Sequence, residues 1–206
     1  MRLIDIHTHS KEREASILNC SADEDITRIC SVGLHPWDID DNWESKIARI
    51  EEQANNSKVV AIGECGFDYI KGRAVKELQE TVFKAHINIA EKSGKPLIVH
   101  LVKGEEELLK AAKRVPHSCT WIIHGFRGKQ QQAEQLLRAG FYLSFGEKFN
   151  SEALLFTPIE RLFVESDESK KSIADIYSAI AKVKGISTCE LARQIEHNAE
   201  CCNINI

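Results

Sequence analysis

The amino-acid sequence predicts an α/β fold, a TIM-type (β/α)8 barrel that is shortened by the loss of early helices. Eight short runs rich in β-branched residues are typical of buried strands, and stretches with helical periodicity separate most of them. This alternation indicates repeated βα units around a parallel sheet. Eight such units close into a barrel of about 250 residues, whereas this chain has 206. An open doubly wound sheet is the structural alternative.

The elements follow in order along one predicted domain, residues 1–206. The predicted strands are 2–7, 15–20, 28–35, 58–64, 96–100, 119–124, 141–145 and 161–166. The predicted helices are 42–55, 75–93, 105–114, 129–139, 173–184 and 187–202. Gly94 and Pro96 form a stop signal after the longest helix. Residues 10–14 and 21–27 are too short for full helices, so the first two strands lose theirs.

Composition narrows the functional classes. Lys and Arg number 27 against 31 Asp and Glu, a net charge of −4, so any contact with nucleic acid must be local. We expect no secretory signal, and no apolar run approaches the roughly 18 residues of a membrane span. The seven cysteines are scattered without a CxxC pair, which argues against thiolate zinc and favours reduced thiols in a cytoplasmic protein. No obligate protein partner is implied.

The ends of the predicted strands carry the chemistry, because loops after the carboxyl ends of barrel strands form the working face. Strand one ends in His7-Thr8-His9, and alternation along a strand would point both imidazoles to one side. Imidazole suits zinc and other transition ions, and a carboxylate can bridge two metals about 3.5–4 Å apart. Further candidate ligands end later strands: Glu64 as the bridge, His100 and His124 for the second metal, and Asp167 for the first metal or its water.

Each of these residues alone has an ordinary structural interpretation. A lone HxH is usually solvent-facing or locally hydrogen-bonded, and Glu64 by itself fits a helix cap or a lysine partner. The joint occurrence favours a metal site, because five of the eight histidines fall at predicted strand ends. The others are interpreted as surface or packing residues: His86, His117 and His197.

Several segments of the sequence together resemble those of a known family. The segments that match are IDIHTHS, VGLHPWD, IGECGFDY, PLIVHLVKG, WIIHGFRG, FYLSF, FVESD and ELARQIEHNAE, in order along nearly the whole chain. This set resembles the TatD-related deoxyribonucleases, a branch of the metal-dependent amidohydrolase superfamily. The resemblance implies a barrel with one to three divalent cations, of which we expect two (Zn, Mn or Mg), and hydrolysis of DNA phosphodiesters. It implies ligands at the set reached above: His7, His9, Glu64, His100, His124 and Asp167.

The chain departs from the family pattern beside the expected cleft. The stretch after the ESD segment lacks the family's usual proline, and Val102-Lys103 replaces an arginine that often follows the strand-five histidine. These departures bear on substrate range more than on metal binding, and they predict a shallower, more open cleft.

The expected mechanism assigns Asp167 to orient the attacking water and accept its proton, while two cations acidify that water and polarise the phosphoryl oxygens. Asp5 either supports the ligands from behind or is a boundary carboxylate capped by backbone. Asp68 is expected to orient His35 or a ligand. His35 either contacts a phosphate or packs beside Pro36 and Trp37.

A DNA or oligonucleotide substrate requires local positive charge. Lys103 and Arg127 are the substrate-binding candidates in a predicted basic rim, although lysines are common in loops anyway. The remaining rim residues are Lys11, Lys129, Lys148, Lys170 and Lys171. Three aromatic residues at the same face either stack on bases or fill the barrel mouth: Trp37, Phe67 and Tyr69.

Two rival functions stay open. A metallohydrolase of a small-molecule ester, lactone or amide is the first, but many such relatives bridge their metals with a modified lysine where this chain has Glu64. The second is a non-catalytic barrel that acts as a binding module, which the trimmed loops favour and the retained ligand chemistry opposes.

Overall fold

The computed structural model describes residues 2–114 and 119–206. Its strands are β1 (Asp5–Thr8), β2 (Ser16–Ser21), β3 (Cys30–Gly33), β4 (Val59–Asp68), β5 (Leu97–Val102), β6 (Trp121–Ile123), β7 (Tyr142–Phe145) and β8 (Leu162–Val164). Its helices are α1 (Trp43–Gln53), α2 (Lys76–Ser93), α3 (Glu105–Arg114), α4 (Gln130–Arg138), α5 (Ser151–Phe156), α6 (Ile173–Lys184) and α7 (Thr188–Cys201), with a 3-10 turn at Ile159–Arg161.

The eight strands form one sheet whose order is the order of the sequence, from β1 to β8. The registered pairs are parallel, and residue Asp167 after β8 bridges back in parallel to Thr8 at the end of β1. This connectivity is that of a TIM-type (β/α)8 barrel, as predicted. Residues 9–15 and 22–29, all of them described, contain turns and bends but no helix, which confirms the shortened early units.

The chain clusters into two compact units, and each is described by itself. One comprises the residues up to Leu18 together with Ile122–Ile206, and the other is Asn19–Trp121. The prediction of a single domain over residues 1–206 stays a prediction. In the described part of the chain, no helix combines the length and apolar character needed to cross a membrane.

In the Asn19–Trp121 unit, α2 covers β4. Most of its buried residues lie three or four positions apart, the spacing of one helix face: Gln79, Val82, Phe83, His86, Ile87 and Ala90, with Ile89 also buried. Gly94 ends the helix in a left-handed conformation, with φ of 65°, as the stop signal predicted. All ten residues of β4 are buried, which is typical of a parallel strand covered on both faces.

In the other unit, α7 packs beside β8 and α6 packs against α7. Ser172 and Ser187 cap these helices by accepting hydrogen bonds from amides three residues later. The buried Tyr177 of α6 donates its hydroxyl hydrogen bond to the carbonyl of Ile4, just before β1. Asn198 of α7 donates to the carbonyl of Leu162 at the start of β8. These contacts set the positions of β1 and β8, whose ends carry candidate ligands.

Candidate functional site

The HxH segment places one buried and one exposed histidine at the end of β1. His7 lies inside the strand and is completely buried, whereas the side chain of His9 is 41% exposed. The expectation of a shared face rested on strand alternation, but β1 ends at Thr8, so alternation does not reach His9. The two rings still lie edge to face, with centroids 5.2 Å apart.

Asp167 is attached to this histidine segment through its main chain. Its amide donates to the carbonyl of His7 at 2.9 Å, and its carbonyl accepts from the amide of His9 at 3.3 Å. Its φ of 52° is left-handed, a region that Asp and Asn tolerate better than most residues. In this conformation Oδ1 lies 3.6 Å from Nε2 of His9.

His124 completes what we call the His7 group: His7, His9, His124 and Asp167. The ring of His124 lies 4.4 Å from that of His7, centroid to centroid. One donor atom from each of His7, His124 and Asp167 lies within 4.8 Å of the others. Imidazole nitrogens with a carboxylate oxygen are a donor set for zinc or manganese, so the chemistry of the group fits a divalent cation. Sequence analysis had assigned His124 to the same metal as His100.

Glu165 is a functional candidate to which sequence analysis assigned no role. It is completely buried, and its Oε1 lies 3.4 Å from Nδ1 of His124. Burial acts to raise the pKa of Glu165, but the nearby imidazoles of His124 and His7 hold it below its ordinary value. A buried carboxylate in this place orients the ring of His124. Its position two residues before Asp167 was the available signal.

Asp5 supports the His7 group from behind, through Ser166. Its carboxylate accepts from the amide of Ser166 at 2.8 Å and from the Ser166 hydroxyl at 2.6 Å. Burial raises the pKa of Asp5 to about 6, although the hydrogen bonds from Ser166 act in the opposite direction. Both interpretations of Asp5 therefore hold in part, since its carboxylate accepts from a backbone amide and that amide belongs to Ser166, between Glu165 and Asp167.

A cleft of about 430 Å³ adjoins Asp167. Arg127, Lys148 and Lys170 line it, and the guanidinium of Arg127 lies 3.9 Å from Oδ2 of Asp167. Arg13 donates to the carbonyls of Ser169 and Lys171 and so ties down the loop on one side of the cleft. Three residues of the predicted basic rim therefore line one cleft beside a candidate ligand.

The Asn19–Trp121 unit contains a second cluster, the Glu64 group: His35, Glu64 and His100. Donor atoms of all three lie within 4.8 Å of one another. Oε1 of Glu64 is 3.2 Å from Nε2 of His35 and 2.8 Å from Nδ1 of His100. His35 follows β3, whereas Glu64 lies within β4 and His100 within β5, and the three strands are consecutive in the sheet. The group adjoins a pocket of about 290 Å³.

Asn19 of β2 holds Glu64 at two points, a role that sequence analysis missed. The side-chain oxygen Oδ1 of Asn19 accepts from the backbone amide of Glu64 at 3.0 Å, and its side-chain nitrogen Nδ2 donates to Oε2 of Glu64 at 3.3 Å. The close approach of β3 to β4 also requires glycine at position 33, since a Cβ there would lie 2.4 Å from the Glu64 carbonyl oxygen. No sequence signal at Asn19 indicated this contact across the sheet.

Asp68 orients His100, one of the two alternatives proposed for it. Its Oδ2 lies 3.2 Å from Nε2 of His100. Burial acts to raise the pKa of Asp68, but hydrogen bonds from the amides of Lys71 and Ile70, the indole of Trp37 and His100 lower it to about 2. Asp68 and Glu64 therefore face the two ring nitrogens of His100 and together fix the orientation of its ring.

The tautomer of His35 follows from its contact with a backbone amide. Its Nδ1 accepts a hydrogen bond from the amide of Trp37 at 3.1 Å. A neutral imidazole has one acceptor nitrogen, so Nε2 of His35 must carry the hydrogen. In this tautomer His35 donates from Nε2 to Oε1 of Glu64, 3.2 Å away, and is not a metal ligand.

The other predicted positions separate clearly. Phe67 is buried against Phe83, with ring centroids 4.9 Å apart, so it fills the core. Lys103 follows β5 and is exposed, with a left-handed φ of 61°. His86 is fully buried and His197 is exposed, which matches their interpretation as packing and surface residues. His117 lies outside the described residues.

The fold and the two clusters define a class of protein: a (β/α)8 barrel with imidazole and carboxylate side chains at its strand ends, as in metal-dependent hydrolases. The family model described as TatD related DNase matches residues 2–202, and the chain belongs to that family.

Individual relatives agree with this membership. The chain is 33% identical over 147 residues to an uncharacterized metal-dependent hydrolase of Buchnera aphidicola, covering 68% of this chain and 55% of the relative. It is 33% identical over 145 residues to the uncharacterized metal-dependent hydrolase YabD of Bacillus subtilis, covering 66% and 57%. The chain thus spans little more than half the length of these relatives.

Two further matches complete the picture. A protein of Edwardsiella piscicida named 3'-5' ssDNA/RNA exonuclease TatD is 28% identical over 149 residues, covering 66% of this chain and 56% of the relative. The crystal structure of YJJV, a TatD homolog from Escherichia coli, superimposes with a TM-score of 0.84 at 18% identity, covering 98% of this chain and 97% of that one. The structural likeness concerns the fold.

Proposed function

We propose that this chain is a divalent-metal-dependent hydrolase that cleaves phosphodiester bonds of DNA as an exonuclease. The observation that carries the proposal is the convergence of His7, His124 and Asp167, whose donor atoms lie within 4.8 Å of one another. The name of the Edwardsiella relative, an exonuclease on single-stranded DNA and RNA, supports this choice of substrate class.

The residues proposed to hold metal ions are the set from sequence analysis: His7, His9, Glu64, His100, His124 and Asp167. We propose two ions, of zinc, manganese or magnesium, one at the His7 group and one at the Glu64 group. A bound cation supplies positive charge that polarises a phosphoryl oxygen and makes a neighbouring water more acidic. Glu165 and Asp68 orient His124 and His100 for this role.

We propose roles in proton transfer and phosphate binding for the residues around the two groups. Asp167, whose side chain is 24% exposed at the 430 Å³ cleft, is proposed to orient the attacking water and accept its proton. His35 is proposed to contact a substrate phosphate at the Glu64 group, where its Nε2 lies 3.2 Å from Oε1 of Glu64. Arg127 and Lys103 are proposed to bind substrate phosphates, with Lys148 and Lys170 beside Arg127 at the cleft.

We propose a cytoplasmic location because the cysteines are reduced thiols. All seven cysteines are described and none is in a disulfide. This agrees with a reducing compartment such as the cytoplasm.

The test uses single-stranded DNA labelled at the 3′ or the 5′ end, with manganese or magnesium added. The wild type is expected to shorten the DNA progressively from one end, and Glu64→Ala and Asp167→Asn are expected to lose at least about 100-fold in rate. Glu196→Gln and Asp41→Asn are matched controls, because both residues are exposed. A lactone and a phosphotriester belong in the same panel: hydrolysis of either, with DNA left intact, would replace the nuclease proposal with the small-molecule one.

A further inference from the structure

Trp37 is a large aromatic residue that stays on the surface. It is 43% exposed, whereas the described Trp121 is 2% exposed. An indole exposed beside a candidate site offers its ring face to a ligand. Phe67 does not offer such a surface because it is buried, and Tyr69 is less exposed than Trp37 and packs against Phe67, with ring centroids 5.8 Å apart.

The exposed ring is held in a fixed position. Its indole N–H donates to Oδ2 of Asp68 at 2.7 Å, and its amide donates to Nδ1 of His35 at 3.1 Å. A ring that is already immobilised loses little conformational entropy when a flat ligand stacks on it. Packing alone does not account for this arrangement, since the hydrogen bonds fix the ring while much of its surface stays in solvent.

Positive charge lies directly beside the ring. The amine of Lys71 is 4.6 Å from the Trp37 ring centroid, in a cation–π contact. Asp68 fixes the backbone of the same turn, because its Oδ1 accepts from the amides of Ile70 and Lys71 at 2.9 and 2.8 Å. One carboxylate therefore holds both the aromatic ring and the segment that carries the amine.

The ring is also close to the Glu64 group. Its centroid lies 4.7 Å from that of His35 and 6.0 Å from that of His100. A flat ring with an adjacent cation matches a nucleotide, which offers a base to stack and a phosphate to neutralise. Stacking on aromatic side chains is how single strands are bound with little sequence preference.

We propose that Trp37 is a stacking platform for a base of the nucleic-acid substrate and that Lys71 neutralises the phosphate next to that base. The inference rests on the proposed nuclease function. Asp68 is a positioning residue for this subsite, since it holds the indole, the Lys71 turn and His100.

The test compares two single-stranded oligonucleotides of equal length, one normal and one whose three terminal nucleotides are abasic. Trp37→Leu removes the π-face, Trp37→Phe keeps one, and Trp43→Leu is the matched control in the same unit. Trp37→Leu is expected to raise KM for the normal strand about tenfold and to change KM for the abasic strand much less. Trp37→Phe is expected to keep most of the discrimination. Equal losses on both strands with Trp37→Leu would overturn the platform.

A binding measurement separates this inference from the nuclease proposal. The fluorescence of Trp37 is measured as the difference in emission between wild type and Trp37→Phe. In EDTA, titration with the normal strand is expected to quench this fluorescence, and the abasic strand is expected to quench it far less. Hydrolysis without such quenching overturns the platform and leaves the nuclease proposal standing. Quenching without hydrolysis of either strand, or of bis(4-nitrophenyl) phosphate with manganese, supports the platform and removes the nuclease proposal.

Discussion

The His7 group and the Glu64 group bring together the same kinds of side chain by different means. Asp167 is positioned by its own main chain, through hydrogen bonds to the carbonyl of His7 and the amide of His9. Glu64 is positioned by side chains around it, with Asn19 on two of its atoms and two imidazoles at one oxygen. The first residue is partly open to a 430 Å³ cleft, and the second is 4% exposed.

The difference shows that a side chain can be fixed in position either with or without losing its access to solvent. A residue that must meet water and substrate gains from exposure, and backbone hydrogen bonds can fix it without surrounding it. A carboxylate that only has to hold a cation can be enclosed by neighbours that also set its direction. We therefore expect substitutions near Glu64 to affect stability and metal affinity, and substitutions at the cleft to affect substrate binding.

The largest effect is expected from Gly33→Ala. The added Cβ would lie 2.4 Å from the Glu64 carbonyl oxygen and 2.6 Å from the backbone of Gly63, so β3 and β4 must separate. We expect a loss of about 3 kcal/mol in the free energy of unfolding. Urea unfolding of Gly33→Ala beside Gly140→Ala measures it; Gly140 has open space around its Cβ but a φ of 90°, so that control reports backbone strain alone. Equal losses in both variants would show that the close approach is not essential.

The second effect concerns pH and His86, which supports the end of β3. Its Nε2 accepts from the amide of Leu34 at 3.0 Å, and its Nδ1 lies 2.8 Å from the carbonyl of Val82. Burial lowers the pKa of His86 from 6.5 to about 4. The unfolded chain therefore binds more protons between these values, so this stabilisation is complete above pH 6.5 and disappears as the pH falls toward 4, by about 3 kcal/mol.

His86→Gln tests this pH dependence, since glutamine offers a donor and an acceptor and does not titrate. The difference in unfolding free energy between wild type and His86→Gln is expected to shift in favour of the variant as the pH falls from 6.5 to 4. A difference that is constant over this range would contradict a neutral buried histidine.

A smaller effect is expected from Asn19→Leu, which removes both contacts to Glu64. The buried amide of Glu64 loses its acceptor, at a cost of about 2 kcal/mol in unfolding free energy. Metal affinity at the Glu64 group is expected to fall about tenfold, as for other residues that orient a ligand. Calorimetric titration with manganese measures the second quantity, and Ser31→Ala is the milder control because Ser31 contacts Asn19 only at 3.5 Å. Unchanged manganese affinity would mean that Asn19 has only a structural role.

The smallest effect is expected from Arg127→Ala at the cleft. The guanidinium is 58% exposed, so its contribution to phosphate binding is screened by salt. We expect KM for an oligonucleotide to rise a few-fold at low ionic strength and to approach the wild-type value at high salt. Arg138→Ala is the matched control, because Arg138 is exposed on α4 and pairs with Glu134. An Arg127→Ala defect that does not depend on salt, or that is equally large on a small phosphodiester, would contradict a phosphate-binding role.

The sequence predicted the six longer helices to within two residues, because capping residues, glycines and periodic apolar positions mark their ends. It missed α5, whose six residues are too few for periodicity, although Asn150 caps it through the amide of Ala153. It ended β4 at Glu64, whereas the strand continues to Asp68, since residues 65–68 pair with β5. That extension carries Asp68 alongside His100.

The candidate site was predictable where residue type alone is informative. Histidines and carboxylates at strand ends indicated the members of both groups. The roles of Asn19 and Glu165 depend on contacts to Glu64 and His124, which lie 45 and 41 positions away in the sequence, and no local pattern reports those. The tautomer of His35 likewise depends on where the Trp37 amide points.

The main chains of candidate ligands themselves join the first and last strands. Two amides, those of Asp167 and His9, form the hydrogen bonds that join β8 to β1. A cation bound by the His7 group is therefore expected to strengthen these hydrogen bonds between the ends of β1 and β8. Slower deuterium uptake at these two amides would then report cation loading directly, in a molecule that is not turning over any substrate.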